Sequence, residues 1–330
     1  MTYLIDATDV VVSYPTDGGG RKIVVNDVNF RVRKGELVTV VGPSGCGKST
    51  LLRLVLGSQM PTTGQVLVDG SVVKRITRDC GIVYQDYSLF PNLTVLDNIA
   101  LGPIVEQTGL LERLSLKPVI GAQNLAASLI KRFGSDGSGD SKGAGGDLFK
   151  FFRYMRVRGE AHDRAYQFLE SIGLKPADGD KYPFELSGGM RQRVAIAQAL
   201  IMRPKILLMD EPFGALDTKT REIMQDFLHQ KWQEHGLTVF FVTHDLDEAV
   251  VLGSRLICLS QYWSQDDGSR GVGAKIVVDR KVLGGVEKPS SFHEGDEFRD
   301  TVFNIRKAGL DDRHLQAQVH FDLSHEDAMV

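Results

Sequence analysis

Gly42-Pro43-Ser44-Gly45-Cys46-Gly47-Lys48-Ser49 puts two glycines, a lysine and a hydroxyl at the spacing G-x-x-x-x-G-K-S. That set suits phosphate binding. Glycines let the backbone curl until several N–H groups point at one anion, and a helix starting at the loop's end adds the positive end of its dipole. Lys48 is placed to reach the terminal phosphates of a nucleoside triphosphate. Ser49, followed by Thr50, is placed to offer a hydroxyl to Mg²⁺. The flanks agree: Glu36 to Val41 reads as an apolar strand entering the loop, and Thr50 to Leu56 as a helix leaving it, with Leu51, Leu52 and Val55 on one face. Cys46 lies inside the loop, so thiol alkylation is expected to inhibit and nucleotide to protect.

Ile206-Leu207-Leu208-Met209-Asp210-Glu211 is an apolar strand that ends in two carboxylates. Ligands of open α/β sheets bind beyond the carboxyl ends of the strands, so both groups are expected there. Asp210 suits a Mg²⁺ ligand, and Glu211 suits the general base that polarises an attacking water.

Leu186-Ser187-Gly188-Gly189-Met190-Arg191-Gln192-Arg193 opens a further helical stretch with a serine and two glycines, a second anion site built from an N-cap hydroxyl and free N–H groups. This segment resembles the LSGGQ signature of ABC (ATP-binding cassette) ATPases, with Met190 where glutamine is commonest. The resemblance implies that Ser187, Gly188 and Gly189 meet the γ-phosphate of an ATP held by a second subunit. It also implies roles that the residues alone do not carry. Gln85, in Val83-Tyr84-Gln85-Asp86, matches the glutamine that senses Mg²⁺ and links to the membrane subunit. Asp217, in Gly214-Ala215-Leu216-Asp217, matches a loop that crosses the dimer interface. His244, in Val242-Thr243-His244-Asp245, matches the histidine that contacts the γ-phosphate. Tyr14 is similar to the aromatic that stacks on adenine. The motifs run in family order from Tyr14 to His244. The stretch between Gln85 and Ser187 is longer than the family pattern.

The elements that must position these groups are partly readable. Asp9 to Tyr14 and Lys22 to Val32 read as strands around the Gly18-Gly19-Gly20 turn. Two buried strands, Lys205 to Met209 and Thr238 to Val242, flank a helical stretch from Lys219 to His235, which suggests a crossover in a mostly parallel sheet. The expected fold is an α/β nucleotide-binding core of ABC type, with a mixed or parallel sheet, an antiparallel β subdomain and an inserted helical subdomain. The ATPase domain is expected over 1–262, with the helical subdomain at about 86–186. That subdomain carries an insertion at about 102–160, and a Gly/Ser-rich linker is expected at 134–146. Residues 263–330 read as a C-terminal extension with a strand near Lys275 to Asp279, a helix near Glu297 to Lys307 and a loose tail. Phe149-Lys150-Phe151-Phe152-Arg153-Tyr154 clusters aromatic and basic residues, which suit contact with a partner or lipid as well as inward packing.

Composition narrows the class. The 330 residues carry 39 basic and 42 acidic side chains, a formal net charge of −3, which gives no basic footprint for nucleic acid. The three cysteines are far apart, so neither a disulfide framework nor a zinc knuckle is expected. No apolar run reaches the roughly 18 residues that would span a bilayer, so any channel must come from other chains. The N-terminus has no basic-then-apolar leader. The phrases Met209-Asp-Glu-Pro-Phe-Gly-Ala-Leu-Asp and Ser88-Leu-Phe-Pro are similar to prokaryotic importers of the nitrate, sulfonate and taurine type. The resemblance then implies ATP hydrolysis on the cytoplasmic face of the cell membrane, as a homodimer or paired with a close paralogue. Its partners would be permease subunits and, indirectly, an extracytoplasmic binding protein. A non-transport or lipid-trafficking ABC ATPase is the alternative.

Overall fold

The computed structural model describes residues 3–86, 88–113, 141–282 and 295–328, with side chains throughout except at 109–113 and 141–152. Two compact units emerge. One comprises Met1–Ser88 with Arg203–Val330, and the other Leu89–Met202.

The first unit holds two principal sheets. Ile5–Pro15 (β1) and Arg21–Val32 (β2) form an antiparallel hairpin, and Thr63–Val68 (β4) and Ser71–Val72 (β5) extend it in the order β2-β1-β4-β5. The larger sheet gathers Leu37–Val41 (β3), Cys80–Tyr84 (β6), Ile206–Asp210 (β7), Thr238–Val242 (β8), Arg255–Ser260 (β9) and Lys275–Lys281 (β11), in the order β11-β9-β3-β8-β7-β6. Every neighbouring pair is parallel except β11 with β9. β3 and β8 are buried at all five positions, as strands covered on both faces must be. Helices Lys48–Leu56 (α1), Thr218–His235 (α5), Leu246–Leu252 (α6) and Asp296–Gly309 (α7) complete this unit. The Lys219 to His235 crossover helix is α5, and the expected mixed sheet with an antiparallel β companion is present.

The strand expected near Lys275 to Asp279 is β11 and the helix expected near Glu297 to Lys307 is α7; the residues after Leu310 depart from expectation. They are a packed part of the first unit, not a loose tail. β11 joins the main sheet, and Gln316–Ala317 (β12) pairs in parallel with Trp263–Ser264 (β10). Asp327 is buried and takes hydrogen bonds from Arg33 Nη2 at 2.7 Å and Tyr3 Oη at 3.0 Å. Arg255, wholly buried, grips Asp279 with Nε and Nη2, both at 2.7 Å. These polar bonds add to an apolar cluster in which Val277, Val278, Phe298 and Ile305 are buried together; the bonds themselves follow no hydrophobic period, so the sequence pattern carries little trace of them.

The second unit is helical: Val95–Arg113 (α2), Ser141–Ser171 (α3) and Gly188–Leu200 (α4). It runs to Met202, beyond the expected end near 186, because α4 packs with α2 and α3. The linker expected at 134–146 is helical from Ser141 onward, the first turns of α3. An established helix extends at low cost because only nucleation is expensive. Residues 134–140 lie outside the described residues, as do most of the 102–160 insertion's side chains, including Phe149 to Phe152. Arg153 Nη2 donates to the Gln107 carbonyl at 3.0 Å, joining α3 to α2.

Asp97 is the polar centre of that junction. It accepts from His162 Nε2 at 2.9 Å and Arg158 Nη2 at 3.1 Å. Its partners, His162 first, hold its carboxyl down at about 2 against an ordinary 3.8. A depressed carboxylate stabilises the fold above its unfolded pKa and loses that contribution as pH falls through the folded value. Asp97→Asn is therefore expected to cost this unit about 2 kcal/mol at pH 7. Urea denaturation should show the gap from wild type narrowing as pH drops below about 4. A gap constant from pH 7 to pH 3 would contradict this.

Candidate nucleotide site

Strand register lines up the chemistry. Tyr84 pairs with Asp210, Asp210 with Val242, and Val40 with Val242. The residues just past these ends are Gln85, Glu211, Thr243-His244 and the loop beginning at Gly42, so all four motifs leave one edge of one sheet.

Gly42 to Ser49 forms the expected cradle. Gly42 has φ +158°, and a Cβ there would collide with the Leu259 carbonyl and the Cys46 sulfur. Gly47, at φ +107°, is the N-cap of α1 and makes no side-chain cap bond, so the first amides of the helix face an anion unopposed. Pro43 is half-buried, and Ser44 and Gly45 form the exposed crest of the loop. Thr50 is buried in the first turn of α1. Lys48 is 6% exposed, and its ammonium donates to the Gly42 carbonyl at 2.8 Å and the Pro43 carbonyl at 3.1 Å. Its charge thus rests inside the loop that it serves.

Ser49 Oγ donates to Asp210 Oδ1 at 3.1 Å. Burial first, and then the neighbouring Glu211 charge, push the Asp210 carboxyl up, while the Ser49 bond opposes them. A hydroxyl and a carboxylate side by side are oxygen donors suited to a small hard cation, so this pair fits Mg²⁺.

Glu211 occupies left-handed backbone at φ +48°, held by its N–H to the Val242 carbonyl at 2.8 Å. Oε2 lies 3.0 Å from His244 Nδ1. Both side chains reach solvent, His244 at 61% and Glu211 at 25% exposure, which gives water a route to the carboxylate. Gly214 brings Gln85 into the same group: a Cβ built there would lie 3.7 Å from Gln85 Nε2 and 3.9 Å from His244 Cε1.

Three expected residues are otherwise engaged. Tyr14 stands on β1 with its ring 38% exposed and its hydroxyl bonded to Gln59, which leaves a face for stacking. Asp217 caps α5, accepting from the Thr220 N–H at 3.0 Å. The Thr220 hydroxyl and that N–H hold its carboxyl below the usual range. Cys46 is 1% exposed, and burial pushes its thiol up, so the thiolate form is scarce and covered and the alkylation expected to inhibit must be slow. Maleimide labelling of the native chain should be slow at Cys46, and labelling at the rate of free cysteine would contradict the burial.

The second unit carries Ser187, Gly188 and Gly189. Ser187 is the N-cap of α4 and accepts from the Met190 N–H at 3.3 Å. The amides of Gly188 and Gly189, ahead of that bond, make the helix start an anion seat. Gln192 on the same helix is fully buried, and neither atom of its amide has a hydrogen-bond partner among the described residues.

One group of residues escapes motif reading. Glu248, buried, accepts from Thr243 Oγ1 at 2.6 Å and Gln225 Nε2 at 3.2 Å. Asp245 caps α6 and binds Arg221 Nη1 at 3.0 Å. Arg221 also donates to the Leu216 carbonyl at 3.3 Å. The Asp-x-x-Glu spacing of a helix start is the signal that could have exposed it.

The comparisons agree with this geometry. The family model for "ABC transporter" matches residues 25–214. An uncharacterised ABC transporter ATP-binding protein of Methanocaldococcus jannaschii is 39% identical over 73% of this chain and 72% of its own length. A bicarbonate transport ATP-binding protein of Synechococcus elongatus is 34% identical over 98% of this chain, which spans only 43% of that relative. An aliphatic sulfonates import ATP-binding protein of Bacillus thuringiensis is 36% identical over 76% of this chain and 79% of its own length. A dimeric ATP-binding cassette in a post-hydrolysis state, bound to ADP and Pi, matches with a TM-score of 0.57 at 29% identity, over 85% of this chain and 99% of that one. With its phosphate loop, paired strand-end carboxylates and signature helix in place, the chain belongs to the ABC transporter family, as an ATP-binding and ATP-hydrolysing cassette.

Proposed function

We propose that this chain powers an importer, hydrolysing ATP as one of a pair of cassettes bound to separate permease subunits at the cytoplasmic face of the cell membrane. The Glu211–His244 contact at 3.0 Å, beside Ser49 and Asp210 at one sheet edge, carries the catalytic half of this reading. Lys48, Ser44 and the amides from Gly42 to Ser49 hold the phosphates. Tyr14 stacks on adenine. Ser49, Asp210 and Gln85 would hold Mg²⁺, which would neutralise phosphate charge. Glu211 takes the proton of the attacking water while His244 orients the carboxylate and meets the γ-phosphate. Ser187, Gly188 and Gly189 close over the partner's nucleotide, with Asp217 at the seam between the two copies.

Among the described residues no helix is long and apolar enough to cross a membrane; in this reading the permease subunits supply the path. Relatives named for bicarbonate, nitrate and aliphatic sulfonates share small oxyanions as cargo, which supports a nitrate-, sulfonate- or taurine-like anion here. An extracytoplasmic binding protein would deliver it. The test is affinity capture of the Glu211→Gln chain with ATP from detergent-solubilised native membranes. A co-purified multi-span permease is expected. Ribosomal or DNA-repair proteins without a membrane partner would replace transport with another ABC role.

A further inference from the structure

The C-terminal part of the first unit holds a cleft of about 320 Å³ that no nucleotide residue lines. β11 forms one wall, α7 another, and the chain from His314 to Asp322 the third. Its floor is apolar. Val278 and Ile305 are both 1% exposed, and Ala308 sits one helical turn beyond Ile305 on the same face.

The rim is cationic. Arg280, two residues from Val278 and so on the same face of β11, turns Nη1 to Asp322 at 3.3 Å. Its Nε is buried with no hydrogen-bond partner among the described residues. Lys307, on the exposed side of α7, has no ion-pair or hydrogen-bond partner for its ammonium among the described residues. His314 and His320 add two imidazoles that can donate. Asp322 is the one carboxylate of the lining, and Arg280 neutralises it. Lys307 is thus an unopposed charge in the lining of the cleft, which Arg280 shares.

The third wall is built rather than incidental. Asp322 donates its N–H to the Val277 carbonyl at 3.0 Å and accepts from the Asp279 N–H at 2.7 Å, which fixes it along the edge of β11. Gln316 Nε2 reaches the His320 carbonyl at 2.6 Å and closes the loop between them. These bonds hold the histidines over the cleft.

We propose that this cleft binds a small organic anion, with one oxyanion head on Lys307 and Arg280 and a short apolar body over Val278, Ile305 and Ala308. A concave, partly apolar cleft with a few convergent polar groups is the usual form of a small-molecule site. Carboxylates and sulfonates share the head chemistry. Inorganic phosphate has the head without the body.

The experiment is isothermal titration calorimetry on the full chain, with Mg²⁺ and a non-hydrolysable ATP analogue saturating the phosphate loop. Ethanesulfonate, succinate and inorganic phosphate are the probes. Saturable binding of ethanesulfonate or succinate is expected, with phosphate weaker. Lys307→Glu, at an exposed position without partners, should retain the native melting temperature and weaken the organic probe about tenfold or more. Three results would each overturn the proposal: no saturable binding of either organic probe at millimolar concentration, phosphate binding as tightly as the better organic probe, or Lys307→Glu binding as wild type does.

Discussion

Glu211→Gln is expected to reduce steady-state ATP hydrolysis about a thousandfold while leaving ATP affinity near wild type, the scale of a lost general base. The amide keeps the shape of the side chain, so the left-handed backbone at φ +48° and the N–H bond to the Val242 carbonyl are undisturbed. It cannot take a proton from water. The neighbouring Ser49–Asp210 pair, at 3.1 Å, is untouched, so phosphate and cation binding persist. ATP should then accumulate on the chain, measured as nucleotide retained after rapid gel filtration against phosphate released per minute. His244→Ala distinguishes orientation from proton transfer, because it removes the 3.0 Å contact and leaves the carboxylate in place. That variant should keep more activity than Glu211→Gln. Multiple turnover by Glu211→Gln at the wild-type rate would reject Glu211 as the base.

How legible this site was in the sequence depends on what each residue needs from the fold. The phosphate loop is local: Gly42, Gly47, Lys48 and Ser49 act within one turn of chain, and their spacing alone sets the geometry. Asp210 and Glu211 are legible because an apolar strand must end at the sheet edge. Gln85 and His244 come from strands remote in sequence, and register alone brings them level with Glu211. Only the resemblance to a family singled them out. The Thr243–Glu248 and Arg221–Asp245 bonds lay deeper still, since a buried carboxylate accepting from a hydroxyl has no sequence period. The same reason hid Asp327 and Asp279, whose partners lie at Arg33 and Arg255. Helix ends were read least well: the Gly/Ser run before Leu148 lacks apolar spacing, yet from Ser141 on it forms the first turns of α3.

Those side-chain bonds also support the loop that carries the proposed catalytic His244. His244 sits between Thr243, held by Glu248, and Asp245, held by Arg221. Arg221 reaches back to the Leu216 carbonyl, one residue from Asp217. The loop that the family places at the dimer seam is therefore joined, through two side chains, to the loop that carries His244. Burial raises the Glu248 carboxyl, against the bonds from Thr243 and Gln225.

Lys48→Ala acts at the opposite end of the reaction, on binding before chemistry. The Lys48 ammonium is the one side-chain cation shown inside the phosphate loop, held by two carbonyls at 2.8 and 3.1 Å. When nucleotide enters, those neutral acceptors are exchanged for phosphate oxygens, and charge-assisted bonds of this kind contribute about 1.5–3 kcal/mol each. Removing the ammonium should therefore weaken ATP binding about a hundredfold, read by calorimetry with Mg²⁺ present. The loss should be smaller for ADP, because with no γ-phosphate that contact is absent in wild type and variant alike. Lys48→Arg is the informative companion. It keeps the charge, but a planar guanidinium is bulkier than the ammonium that fits this 6%-exposed position, so it should recover little of the affinity. Full recovery by arginine would mean that the loop needs only positive charge nearby. Undiminished affinity in Lys48→Ala would leave the phosphate to the backbone amides of Gly42 to Ser49 alone. The two outcomes separate electrostatic attraction from the fitted contact that the buried lysine provides.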